Sequence, residues 1–283
     1  MRKRITQQNT FTSFSLETEY QKLNELFSKS IAFGRIIGPV ASNACPSLSY
    51  LDCLHGLFLD WNLRGTFIKV EEMLQSLQIS EEDFQYKATE DRLLDYIQFI
   101  LNAVVFVDTS VKSHKYSLYK ATDAIYKAIV DNSSQVVNYL GAKIMADKKE
   151  LVVVYKDDVA TAISEQNQDL QVSITEYLKI DNRGDIQRKG EILCTLAKKL
   201  EAFEKELNGT EFKQLCTDTT FLLNNIGARH YPDPENRIKA QFTTMKKEEV
   251  EQWYDRAFQM FLACMAAVPY LGYKDKIKAL KSV

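Results

Sequence analysis

Across residues 91–108 apolar side chains fall on almost every side of a helical wheel: Leu93, Leu94, Ile97, Phe99, Ile100, Leu101, Val104, Val105 and Phe106. A helix that is apolar all round has no face to offer water, so it belongs at the centre of a bundle, covered by other helices. The covering helices are legible from apolar residues three and four apart. One spans residues 116–140, through Leu118, Ala121, Ile125, Ile129, Val136 and Leu140, with Asp131-Asn132-Ser133-Ser134 marking a break or kink. A second spans 185–207, with a narrow stripe of Ile186, Leu193, Leu196, Leu200, Phe203 and Leu207 and a broad Lys/Glu surface. A third starts at Glu211, carries Phe212, Leu215, Thr219, Leu222 and Ile226 on one face and ends within residues 224–232, and a fourth carries Val250, Trp253, Ala257, Phe261, Cys264 and Val268 before Pro269 ends it.

Shorter helical patterns precede and separate these. Residues 16–33, 50–63 and 67–77 have helical spacing, and Ser80-Glu81-Glu82-Asp83 reads as a cap with a short helical turn. Helices also fit residues 158–165 and 170–179. The one strand signal is Leu151-Val152-Val153-Val154-Tyr155, paired with residues 142–146 across Asp147-Lys148-Lys149. A lone hairpin is marginal in water, so this one is expected to be an insertion clamped to the bundle. The expected fold is mainly α, a helical bundle with one small β-hairpin insertion and an N-terminal helical unit, divided as residues 1–84 and 85–283.

Charge and cysteine content narrow the function classes. A formal net charge of −2 over 283 residues gives no bulk attraction to nucleic acid or anionic lipid, so RNA contact would need a local patch. The helices around Ser80 do not suit DNA reading, because a recognition helix beginning Glu81-Glu82-Asp83 would carry negative charge toward phosphates. Five cysteines, odd in number and without a Cys-x-x-Cys pair, read as reduced thiols. Residues 1–30 lack a signal-peptide core, and the longest later apolar run, around residues 258–268, is too short to span a bilayer. These features point to a cytoplasmic protein with no membrane contact. No Gly-rich phosphate loop, nucleophile elbow or His-Glu-x-x-His helix is present, and Asp52, Cys53, His55 and Asp60 lack the second ligand pair of a zinc site. No metal and no cofactor is therefore expected.

What remains is the segment Asn224-Asn225-Ile226-Gly227-Ala228-Arg229-His230-Tyr231-Pro232. Residues before proline are pushed out of the helical region, so Tyr231 and Asp233, each followed by proline, stop the helix and place His230 at or just past its end. The carbonyls there favour a cation by about 0.3–1 kcal/mol, which helps a histidine hold its proton. Arg229 brings the planar paired donors that suit a phosphate, and Asn225, four residues earlier, shares its helical face. Such a set can hold a phosphodiester and move a proton. The same residues are also how a helix is ordinarily closed, with Arg and His favoured by the helix dipole.

The run LLNNIGARHYPDP, followed by EEVEQWYDRAFQMFLACM, resembles the helix end of HEPN-superfamily domains, particularly those of bacterial abortive-infection proteins. That resemblance implies an all-α bundle acting as a metal-independent endoribonuclease in phage defence, as a homodimer whose signature residues meet across a cleft. His230 matches the family's histidine and Asn225 its polar residue. Asn224 stands where the family carries arginine, and Arg229 is the nearest cation. Under this reading His230, Arg229, Asn225 and Asn224 form the catalytic set and RNA is the substrate. The alternative is a non-catalytic helical interaction or RNA-binding protein of a defence system, dimerising or binding a protein partner through the Trp253/Phe258/Phe261 face and the 185–207 helix.

Overall fold

The computed structural model describes residues 14–29, 31–34, 47–113, 117–118, 120–226 and 244–281. They form twelve α-helices and two small sheets, so the chain is mainly α. Its contacts divide it into two compact units, Met1–Val153 and Val154–Val283.

The first unit holds α1 (Leu16–Ser28), α2 (Tyr50–Leu57), α3 (Val70–Ser76), α4 (Glu81–Lys87), α5 (Glu90–Ser113) and α6 (Lys120–Tyr139). Side-chain caps start several of them. The Ser49 and Ser80 hydroxyls accept from the amides of Asp52 and Asp83, whose carboxylates accept from the serine amides in return. As its all-round apolar pattern requires, α5 is the central helix: Leu93, Leu94, Ile97, Ile100, Leu101 and Val104 are all buried. By length and composition part of α5 would also cross a membrane, which reading the 258–268 run as the longest had missed; here its apolar faces are covered by protein.

The boundary expected after residue 84 falls instead between Val153 and Val154. The reason is aromatic packing. Tyr20 of α1 stacks on Phe84 of α4 at 4.0 Å and lies 4.5 Å from Tyr96 of α5, whose hydroxyl donates to Asn24 Oδ1 at 2.9 Å. The N-terminal helices thus share one core with α5. Nor does the polar run of residues 131–134 break α6, which stays helical throughout, with Ser133 fully buried in the core.

The expected hairpin is present as β4 and β5, joined at a turn where Lys148 takes a left-handed φ of 56°; in chain order the strands are β1 (Ile31–Gly34), β2 (Ser47–Leu48), β3 (Ser117–Leu118), β4 (Ala142–Asp147) and β5 (Glu150–Tyr155). Its clamp is a pair of α5 amides. Asn102 accepts from the Leu151 amide at 2.8 Å and donates to the Leu151 carbonyl at 2.7 Å, while Gln98 Oε1 accepts from the Val153 amide at 2.7 Å. A helix side chain here does the work of a neighbouring strand. Asn102→Ala, which orphans both Leu151 groups, is expected to lower stability by about 2 kcal/mol in chemical denaturation; a change below about 0.5 kcal/mol would refute the clamp. A second sheet, ordered β2-β1-β3 and antiparallel, was not anticipated. Two of its strands are two residues long, too short for alternation to register, and residues 31–33 of the third carry the helical spacing that extends α1 in the sequence.

The second unit holds α7 (Asp158–Gln166), α8 (Gln168–Leu178), α9 (Ile186–Glu201), α10 (Glu204–Asn208), α11 (Lys213–Asn225) and α12 (Lys247–Lys281). The single helix expected over 185–207 is two, divided at Ala202 and Phe203 with no glycine or proline to announce it. Leu200 and Leu207 are buried on either side and Phe203 packs against the core, so the turn serves packing. Pro269 does not end α12, which continues twelve residues past it. The proline itself is exposed.

Side-chain pairs set the helix directions. Lys274 of α12 pairs with Glu211, Tyr270 meets Phe212 edge-on at 5.8 Å, and Cys264 lies 3.4 Å from Thr219. Hence α11 runs antiparallel to α12. At the other end of α12, Tyr254 lies against Gly190 of α9, where an added Cβ would come within 3.3 Å of its hydroxyl. The chain therefore climbs along α12 through α9 and α10 and descends through α11.

Candidate functional site

α11 ends at Asn225, earlier than the stop at His230 that the prolines suggested. Ile226 closes the helix, its amide bonded to the Leu222 carbonyl at 3.0 Å, and Leu222, Leu223 and Ile226 anchor the last turn in the core. Asn224 and Asn225 are partly exposed on that turn. The Asn225 side-chain amide donates back to the Phe221 carbonyl at 2.6 Å, one turn earlier in the same helix. Arg229 and His230 lie outside the described residues, as does His114. The structure thus brings together two of the four expected residues.

A second constellation was missed. Residues 187–191, Gln-Arg-Lys-Gly-Glu, look like a solvated helix start, yet Lys189 is buried. Its ammonium sits 2.8 Å from Glu251 Oε1 and 2.8 Å from Asp255 Oδ1, both on α12, and 5.3 Å from the centre of the Tyr177 ring. The Tyr177 hydroxyl donates to the same Asp255 oxygen at 2.9 Å, and the Gly184 amide donates to Glu251 at 2.7 Å. Beneath them Tyr177 stacks on Phe258 at 4.0 Å with the rings 12° apart. Arg183 donates to the Tyr155 hydroxyl at 2.6 Å. These groups line an open cavity of about 490 Å³. The available signal was Gly190: a glycine inside a helix lowers its stability unless something must approach closely, and Tyr254 does.

Electrostatics explain what this cluster can do. Burial raises the Glu251 carboxyl pKa, but the Lys189 and Gly184 hydrogen bonds and the charges of Lys189 and Arg183 outweigh it, so the net shift is downward. Glu176 follows the same logic: burial opposes ionisation, while Lys179 at 2.7 Å and Arg188 at 3.0 Å win. Burial, and then the Asp255 charge, push the Tyr177 phenol far above its ordinary value, so it cannot serve as a base near neutrality. The cluster is a charge-compensated clamp between α9 and α12. Lys189→Met leaves Glu251 partly buried without its cation and is expected to cost about 2–3 kcal/mol, below the ~3–5 kcal/mol of a fully buried pair because Asp255 is half-exposed. Thermal or chemical denaturation measures this; an unchanged midpoint would show the pair to be inert.

The clamp and the α11 terminus share one end of the unit. From Thr219, level with Cys264, six residues of helix carry the chain ~9 Å to Asn225, level with the Phe258 region of α12. Among the described residues no cluster of three His, Cys, Asp or Glu side chains could hold a metal. His55 faces Glu71 at 3.6 Å, and Trp61 is buried against Phe99 and Phe106. Cys53, Cys194, Cys216 and Cys264 are thiols, with Cys53 and Cys216 pushed up to about 11, chiefly by burial. Cys45 lies outside the described residues.

No protein-family model, no curated protein and no solved structure matches this chain.

Proposed function

We propose that the second unit is a metal-independent endoribonuclease of the HEPN kind, acting as a homodimer in phage defence, with its site just beyond α11. The observation that carries the reading is the termination of α11 at Asn225 and Ile226, three residues before Arg229 in sequence. A helix end anchored by Leu222, Leu223 and Ile226 is a firm platform for catalytic groups. In this mechanism His230 takes the proton of a ribose 2′-hydroxyl, whose oxygen attacks the adjacent phosphorus. Arg229 stabilises the charged phosphorane, Asn224 and Asn225 position the phosphate, and His230 returns a proton to the leaving 5′-oxygen. The product is a 2′,3′-cyclic phosphate. The test is incubation of the native chain with total RNA in excess chelator, followed by analysis of the new 3′ termini. Cyclic phosphate ends support the proposal, and intact RNA overturns it.

A non-catalytic reading, helical interaction or RNA binding without turnover, is favoured by one observation. The Asn225 side-chain amide is turned to its own helix, to the Phe221 carbonyl, rather than reaching outward. Phe258 and Phe261 cannot serve the dimer face suggested for them, because both are core residues at 1% and 0% exposure. Salt-dependent retention of RNA without cleavage, in the same incubation, selects this second reading.

A further inference from the structure

Along one line of α12 the exposed residues are Ala263, Ala266, Tyr270, Tyr273, Ile277 and Leu280, spaced three and four apart over eighteen residues. The four large ones are 40%, 59%, 38% and 78% exposed. At 100° per residue they fall within an arc of about 80°, the width of a coiled-coil seam and narrower than the face of a helix that buries itself in a globular core or a lipid surface. Where the seam consists of alanines, Ala266 and Pro269 border a cavity of about 350 Å³ with Val159, Ala162 and Ile163 of α7, and with Asp158 and Gln166 at its polar edge. Small residues beside a cavity leave room for the large side chains of an incoming helix.

Charge identifies the kind of helix. With Tyr270 and Ile277 at the a positions and Tyr273 and Leu280 at d, the flanking e and g positions of the exposed turns are Lys274, Lys276 and Lys281. All three are exposed; Lys274 also pairs with Glu211, a surface contact that competes weakly. In a coiled coil these positions choose the partner. A second copy of this helix would set lysine against lysine.

We propose that the Ala263–Leu280 face of α12 is the docking site for an acidic amphipathic helix of a different protein, with aliphatic a and d residues and glutamates flanking them. The partner's aliphatic side chains enter the alanine-lined section and its glutamates pair with Lys276 and Lys281. This proposal does not depend on RNA cleavage.

The test uses a fluorescent 21-residue designed helix with Ile at a, Leu at d and Glu at e and g, titrated against the full chain, beside a twin with Lys at e and g. The Glu helix should bind saturably and about tenfold or more tighter than its twin, since several attractive flank pairs become repulsive. Lys276→Glu with Lys281→Glu should reverse the preference, and Leu280→Asp should abolish binding without altering the folded helical signal, its site being exposed. Equal binding of both peptides, or of neither, overturns the proposal. So does adsorption to phosphatidylserine vesicles that the Glu helix fails to displace, or self-association of the chain that Leu280→Asp removes.

Discussion

His230→Ala is expected to lower RNA cleavage by about 10²–10⁴-fold in chelator, the usual contribution of a positioned acid–base group. The size follows from the role assigned: one imidazole takes the 2′-hydroxyl proton and later supplies the proton to the leaving oxygen, so its loss affects both halves of the step. Asn225→Ala should cost less. Its side-chain amide lies back on the Phe221 carbonyl, and removing that bond leaves the carbonyl with its partner in the helix backbone. The measurement is the initial rate of cyclic-phosphate formation, beside circular dichroism showing that each variant keeps its helices. Equal rates for the native chain and His230→Ala would end the assignment of this histidine, whatever the native chain does to RNA.

Phe258→Ala should cost about 3–5 kcal/mol of stability, the largest structural effect expected here. Phe258 is 1% exposed and lies face to face with Tyr177, whose hydroxyl and ring both serve the Lys189 cluster. Truncation therefore opens a cavity and removes the stack that holds the phenol against Asp255. Phe258→Leu refills much of the volume without restoring the stack and should cost less than half as much. Chemical denaturation of the whole chain, comparing midpoints at equal slope, separates the two substitutions. Losses of equal size would show that the aromatic stack, rather than filled volume, carries the interaction.

How much of this was legible in advance depended on whether the signal was local. The apolar circumference of α5 announced a central helix, and Val152, Val153 and Val154 announced a strand, because periodicity and β-branching act over a few residues. The capping residues Ser80 and Asp83 were legible for the same reason. Pro269 was misleading: its local meaning is a stop, but α12 is held on both sides of it, by Cys264 and Met265 in the core and by Lys274 against Glu211. The division of α9 from α10 left no mark at all, since Ala202 and Phe203 are acceptable helix residues.

The site divides along the same line. By itself the sequence determined that the chain is a helical bundle, that a hairpin interrupts it, and that a helix stops ahead of Pro232 and Pro234, though not that it stops as early as Asn225, since each of these follows from short-range sterics and hydrophobic spacing. Only the tertiary structure decided that the N-terminal helices share a core with α5, that Lys189 is enclosed by Glu251 and Asp255 more than sixty residues away, and that the Tyr273 and Leu280 side of α12 is left uncovered. Those outcomes depend on which surfaces meet. A buried charge is tolerated only when distant partners converge on it, and convergence is a property of the folded chain that no local stretch encodes.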